Sequence, residues 1–531
     1  MEMLPSAHLD TFCRDHLPPY EQWPELVFEL PELQYPDRLN CATALLDDVI
    51  GRYGADRPCL HAPGEETWSY GDLLATANRI AHVLVDELGI VPGNRVLLRG
   101  PNNPLLAACW FAVLKTGAVA VTTMAVLRAG ELRTIHQIAS LDAALVDHRF
   151  LEDAAGLGVP MLAYGGDGPD DLTRRASSKP VLFDDLPTSA DDVALLAFTS
   201  GTTGRPKATM HFHRDVLAVC DTFSRHVLRP DEDDVFTGTP PFAFTFGLGA
   251  VLLFPLHAGA STLLVEKATP GELVDLVTEF GVTVCSTAPT AYKAMLAAGA
   301  TLPTLTKAVS AGEHLPATTW QAFKDATGVE IIDGIGATEM LHIFIGASGD
   351  DIRPGSTGRA VPGYVAAVLD EAGREVPAGV TGRLAVKGPT GCRYLADERQ
   401  RSYVQRGWNL TGDTFCRDED GYFWYQARSD DMIISSGYNI AAPEVEEALQ
   451  QHPRVAECAV VGVPDDARGS VVKAFVVLTE GGPDASTAGE LQDFVKAAIA
   501  PYKYPRIVEF VAELPRTATG KLQRFRLRPE G

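Results

Sequence analysis

Between Phe198 and Lys207 the chain reads FTSGTTGRPK: two glycines, three threonines, a serine and two cations, directly after the apolar run VALLA. A strand feeding such a loop presents backbone N–H groups and hydroxyls together, and glycine allows close approach. A loop of this kind can wrap phosphate oxygens; the same composition also serves a polar surface turn. It is not a Walker A loop, because Pro206 stands where the second glycine of G-x-x-x-x-G-K-[ST] would fall.

Three further stretches hold groups with related chemistry. In DGIGATEML (333–341), Thr338 and Glu339 follow a glycine turn, where a carboxylate can hold Mg²⁺ through oxygen. In NLTGDTFCR (409–417), Asp413 can accept hydrogen bonds from ribose hydroxyls, or simply close an Asx turn beside Gly412. Near the carboxyl end, LPRTATGKLQRFRLR (514–528) sets Lys521 after Gly520, either in a catalytic loop or in a solvated basic tail. From 503 to 528 there are seven cations (503, 506, 516, 521, 524, 526 and 528) against Glu509 and Glu513. That local excess inverts the formal charge of the whole chain, −24 from 45 Lys and Arg against 69 Asp and Glu.

The elements that must position these groups alternate. Apolar, β-rich runs at 95–100, 143–148, 193–198, 261–266 and 283–289 are separated by amphipathic segments. One of these, at 70–88, repeats its apolar positions at helical spacing. The alternation predicts an α/β fold of large layered sheets and helices. From about residue 429 a short strand, a glycine turn and a Pro-started acidic helix predict a small α+β module. The expected domains are 1–429 and 430–531, in keeping with a length of 531 residues.

Composition excludes several classes. The acidic balance argues against a general nucleic-acid or anionic-membrane role. The longest apolar stretch, 248–266, is broken by Pro255 and His257, short of a membrane span. Nine cysteines are scattered singly, without a C-x-x-C pair, and the amino terminus is acidic and Pro-interrupted. A reduced, cytoplasmic protein without a signal peptide is expected.

Taken in order and spacing, these stretches resemble the adenylate-forming (ANL) acyl-CoA ligase superfamily over nearly the whole chain. The sequence is most similar there to benzoate-CoA and 2-aminobenzoate-CoA ligases, through DGIGATEMLHIF, PPFAFTFGLG and the opening LPPYEQWPELVFELPELQYPDRLNCATALLD. The resemblance implies a large N-terminal domain and a small mobile C-terminal one. It also implies a two-step reaction with ATP, Mg²⁺ and coenzyme A. A carboxylate attacks the α-phosphate, giving acyl-AMP and pyrophosphate, and the thiol of coenzyme A then expels AMP.

On this resemblance Thr199, Ser200, Gly201, Thr202, Thr203 and Gly204, with Lys207, cradle the phosphates. Glu339 holds Mg²⁺, and Thr338 donates to the α-phosphate. Gly312, Glu313, Asp333, Gly334 and Ile335 line the nucleotide, Asp413 and Arg428 anchor its ribose, and Lys521 bridges carboxylate and α-phosphate. Asp430 marks the hinge about which the small domain rotates, and Ser436, Gly437 and Tyr438 line the pantetheine tunnel. An acyl pocket is expected from Phe242, Ala243, Phe244, Thr245, Ala311, Gly336, His342 and Ile343. Small residues at 311 and 336 suit a flat aryl ring.

His342 is a candidate for contact with a ring substituent, or else a core histidine satisfied by backbone. Two positions depart from the family pattern: Ile335 replaces an adenine-stacking Tyr, and Ala427 a Gly before the ribose arginine. The expected partner is a small aromatic acid, the chain acting as a monomer or homodimer. Two other acceptors remain open: a carrier protein in trans, or nitrite activated with ATP to diazotise an aryl amine.

Overall fold

In the computed structural model the described residues are 3–200, 206–428, 432–435, 438–465, 469–479, 482–483, 486–499, 503–516 and 522–528. Gly201, Thr202, Thr203, Gly204, Asp430, Ser436, Gly437 and Lys521 lie outside them, and Ser200, Arg428 and Tyr438 are described in backbone only. The chain divides into two compact units, residues 1–366 with 386–409, and residues 367–385 with 410–531.

The first unit is layered α/β. One sheet has six strands in the order 161–164, 143–147, 95–99, 119–123, 193–200 and 206–212. Its pairings are parallel except for the last, an antiparallel hairpin. The apolar run VALLA fills the hairpin's first strand, so both of its faces are buried, as expected of a strand in a covered parallel sheet. A second sheet of nine strands runs from 359–360 through 343–346, 331–336, 307–310, 284–287, 235–238 and 261–263 to 58–61 and 68–69.

Two helices fill the space between these sheets. Tyr70–Asp86 packs on strands 58–61 and 68–69, Pro104–Lys115 packs on strands 95–99 and 119–123, and the helices pack on each other. Their starts are set locally. Ser69 and Asp72 form a reciprocal capping box, and Asn103 caps Leu106 N–H at 2.9 Å ahead of Pro104. The helix Pro104–Lys115 is buried along nearly its whole length, including Lys115, whose ammonium is paired with Asp47 and Asp185 at 2.6 and 2.8 Å.

In the second unit, strands Trp408–Arg417 and Phe423–Arg428 pair antiparallel. Strands Val455–Asp465 and Gly469–Leu478 pair antiparallel, with Ile507–Phe510 parallel to the latter. Helices Ala442–Gln450 and Thr487–Ala498 contribute Val445, Leu449, Leu491 and Val495 to a core shared with Val460, Val472 and Val476. No helix among the described residues is long and apolar enough to cross a membrane.

Candidate active site

The hairpin register aligns Thr199 with Lys207 and Ser200 with Pro206. Lys207 leaves the second strand with its ammonium 2.9 Å from Glu339 Oε1. The same nitrogen bonds the Tyr394 hydroxyl and lies 4.3 Å from that ring's centroid and 5.3 Å from Tyr403's. The Tyr394 hydroxyl in turn donates to Glu339 Oε1. Burial, and then the neighbouring Cys392 and Glu339, push the Tyr394 phenol far up, so it remains a donor. A cation and a fixed hydroxyl thus hold one buried carboxylate oxygen.

Glu339 sits on a one-turn helix, Thr338–Met340, between strands 331–336 and 343–346. The turn is needed because the two strands pair antiparallel with a bulge at Ile335/Gly336. Gly336 has no room for a side chain, since a Cβ there would stand 2.7 Å from His342 O and 2.8 Å from its carbonyl carbon. Leu341 closes the turn at φ +69°, where a non-glycine residue is strained. Asp333, at the start of the motif, has a buried Oδ1 without a hydrogen-bond partner among the described residues, and burial pushes its carboxyl up to about 8. Gly312, two residues past strand 307–310, takes φ +90° with open space where a Cβ would point.

Of the expected acyl residues, Gly336 abuts His342 and Ile343. Phe242 is buried, its N–H donated to Asn102 Oδ1 at 2.9 Å, while Asn102 Nδ2 donates to Pro240 O at 3.0 Å. Ala243, Phe244 and Thr245 are half-buried at the start of helix Thr245–Leu248. His342 is buried against Phe254, Phe223 and Phe246, with ring centroids 4.5, 5.5 and 5.6 Å away. Burial holds its imidazole down to about 3, so it is neutral at physiological pH. Nε2 lies 3.4 Å from Phe246 O, and Nδ1 has no partner among the described residues. Ala311 and Ile343 are buried.

In the second unit the strand register sets Asp413 directly opposite Arg428. Asp413 is buried, its N–H donated to Thr411 Oγ1 at 3.2 Å. Sequence reasoning missed Tyr394, Asn102 and His211, whose Nε2 lies 2.8 Å from Thr338 O. Only His211, four residues past Lys207 and so on the same face of the strand Pro206–Phe212, carried a local signal.

Residues 46–394 match the AMP-binding enzyme family, and residues 444–521 match the AMP-binding enzyme C-terminal domain. The chain belongs to this family of adenylate-forming enzymes. It is 35% identical over 517 residues to the benzoate–CoA ligase of Thauera aromatica, covering 94% of this chain and 97% of that one. It is 31% identical to the 3-hydroxybenzoate–CoA ligase of Aromatoleum sp. (strain CIB), covering 92% and 96%. Among solved structures, the anthranilate CoA ligase AuaEII in complex with anthranoyl-AMP superposes with a TM-score of 0.88 at 34% identity, covering 94% and 98%. A benzoate CoA ligase from Burkholderia xenovorans LB400 gives 0.84 at 31%, covering 92% and 100%. The protein is an AMP-forming ligase with the mixed α/β architecture of these relatives.

Proposed function

We propose that the protein activates an aromatic carboxylic acid with ATP and transfers the acyl group to coenzyme A. The observation that carries this reading is the near full-length similarity to ligases named for benzoate, 3-hydroxybenzoate and anthranilate. In the first step a carboxylate oxygen bonds to the α-phosphorus while the bond to the β-phosphate oxygen breaks, and pyrophosphate leaves with the electron pair. In the second the thiol sulfur bonds to the acyl carbon, AMP leaves, and the thiol proton passes to solvent.

The loop 199–204 with Lys207 would hold the departing pyrophosphate, and Thr338 would donate to the α-phosphate. A single carboxylate beside substrate phosphates suits Mg²⁺, which dehydrates reluctantly and takes few protein ligands; Glu339 is the residue that would hold it, the ion screening the phosphate charge. Asp413 and Arg428 would take the ribose hydroxyls, and Lys521 would guide the carboxylate in.

The side-chain chemistry favours an acid with a donor on its ring. With His342 Nε2 turned toward a carbonyl, Nδ1 is left as an unused acceptor in an apolar, aromatic setting. A buried acceptor is costly to leave unmade, and an amino or hydroxyl substituent would satisfy it. The test is pyrophosphate release across benzoate, 2- and 3-aminobenzoate, hydroxybenzoates and medium-chain fatty acids. Release with the aryl acids is expected, and substitution of His342 by Leu should shift preference from aminobenzoate toward benzoate. Release with fatty acids alone would reject the reading.

A further inference from the structure

The turn bearing Thr338 and Glu339 is held from behind by a buried polar chain. His211 is fully buried, and its Nε2 lies 2.8 Å from Thr338 O. A carbonyl can only accept, so this nitrogen carries the proton. Behind the ring, Asp215 Oδ2 stands 3.8 Å from His211 Nδ1 and takes Phe212 N–H at 3.0 Å and a guanidinium N–H of Arg393. Burial works against the Asp215 carboxylate, but Arg393, then His211 and Arg214, hold it below the usual range. Arg393 is stacked over the Phe212 ring at 4.0 Å, and neither it nor Asp215 is exposed.

The other end of the turn is fixed from the same segment as Arg393. Thr390 Oγ1 donates to Met340 O at 2.8 Å. Immediately past the second pin the backbone passes through the strained Leu341. A strained residue persists only where its surroundings over-determine it. An ion pair sealed from water adds little net stability, so its place here is better explained by the geometry it fixes.

We infer that His211, packed beside the buried Asp215–Arg393 pair, is a positioning residue that fixes the Thr338 carbonyl and thereby aims Thr338 and Glu339 at the nucleotide. This rests on the proposed roles of those two residues, but on no particular acid. The test compares His211→Gln, which keeps a side-chain N–H donor, with His211→Met, of nearly the same length and volume but without one.

ATP affinity, read by calorimetry without any acid, should weaken by about tenfold or more in the Met variant and stay within about threefold in the Gln variant. Acid-dependent pyrophosphate exchange should follow the same order. Equal affinities in the two variants would overturn the inference. An independent reading needs no variant: ¹⁵N imidazole spectra of the wild-type protein should show His211 protonated at Nε2, and an unprotonated Nε2 would equally overturn it. ATP binding without exchange on any aryl acid would defeat the substrate assignment alone, leaving the comparison of variants valid.

Discussion

Lys207 Nζ stands 2.9 Å from Glu339 Oε1, joining the strand that leaves the Gly/Thr loop to the turn of the DGIGATE motif. Both groups are largely shielded, at 15% and 8% side-chain exposure, so their attraction is weakly screened. A phosphate arriving at the loop and a cation arriving at the carboxylate would each replace the other residue as partner. On the proposed roles, the pair would hold ready the two charges that a metal-bound nucleotide would take up.

Glu339→Gln removes the charge while keeping the shape. Pyrophosphate exchange should fall by about 10²–10³, the range for losing one preorganised electrostatic group. Raising Mg²⁺ should not restore it. Exchange within tenfold of wild type would show that Glu339 is not the metal-holding group.

Tyr394→Phe keeps the ring beneath Lys207 and deletes only the hydroxyl that donates to Glu339. A hydrogen bond to a charged group contributes about 1.5–3 kcal/mol. The Mg²⁺ concentration for half-maximal exchange should rise by roughly tenfold or more, the equilibrium equivalent of that range. An unchanged Mg²⁺ requirement would mean that the hydroxyl does not orient the carboxylate.

How much of this could be read beforehand differs from residue to residue. The helix at 70–88 announced itself by period and the strand at 193–198 as a continuous apolar run, and they appear at Tyr70–Asp86 and Val193–Ser200. The run at 261–266 yields only Ser261–Leu263, the last bond of its pairing with strand 58–61 running from Leu264 N–H to His61 O at 2.8 Å. Thr338 and Glu339 were legible because a glycine turn between strands is a local pattern. Tyr394 and Arg393 were not: they reach Glu339 and Asp215 across 55 and 178 residues, and no local spacing encodes that approach. His342 shows the middle case, since its position was legible and its cage of Phe223, Phe246 and Phe254 was not.

Asp333→Asn tests the buried carboxyl of the motif. Its folded pKa is raised to about 8, above the roughly 3.9 of an unfolded aspartate. The folded state therefore holds the proton more tightly, and this contribution is complete below about pH 4 and lost as the pH rises toward 8. Asn cannot titrate, so the melting temperature of the variant should fall less than that of wild type between pH 5 and 8. Parallel profiles would place the carboxyl in a more solvated setting.

Gly336→Ala adds a single methyl, yet the atoms in its way are backbone: His342 O at 2.7 Å, its carbonyl carbon at 2.8 Å and Ile343 N at 3.0 Å. Backbone cannot rotate aside as a side chain can, so the strand pairing at Gly336–Ile343 must open. The variant should melt lower by several degrees, with overpacking of this kind costing about 1–3 kcal/mol. Its KM for the acid should rise as His342 moves. A wild-type melting temperature together with a wild-type KM would contradict both.

Lys521→Ala separates the two half-reactions. Lys521 belongs to the basic stretch 503–528, whose charge opposes that of the whole chain. In the proposed mechanism its ammonium meets two anions approaching each other, where one positive charge contributes most. The second half-reaction has no such encounter, since the acyl-AMP is already formed and the attacking thiol needs the space that Lys521 would fill. Pyrophosphate exchange from acid and ATP should therefore drop by at least about 10³, while thioester formation from supplied acyl-AMP should stay within about tenfold of wild type. Equal losses in both assays would mean that Lys521 serves both steps from one position, and a domain that rotates between them would no longer be required.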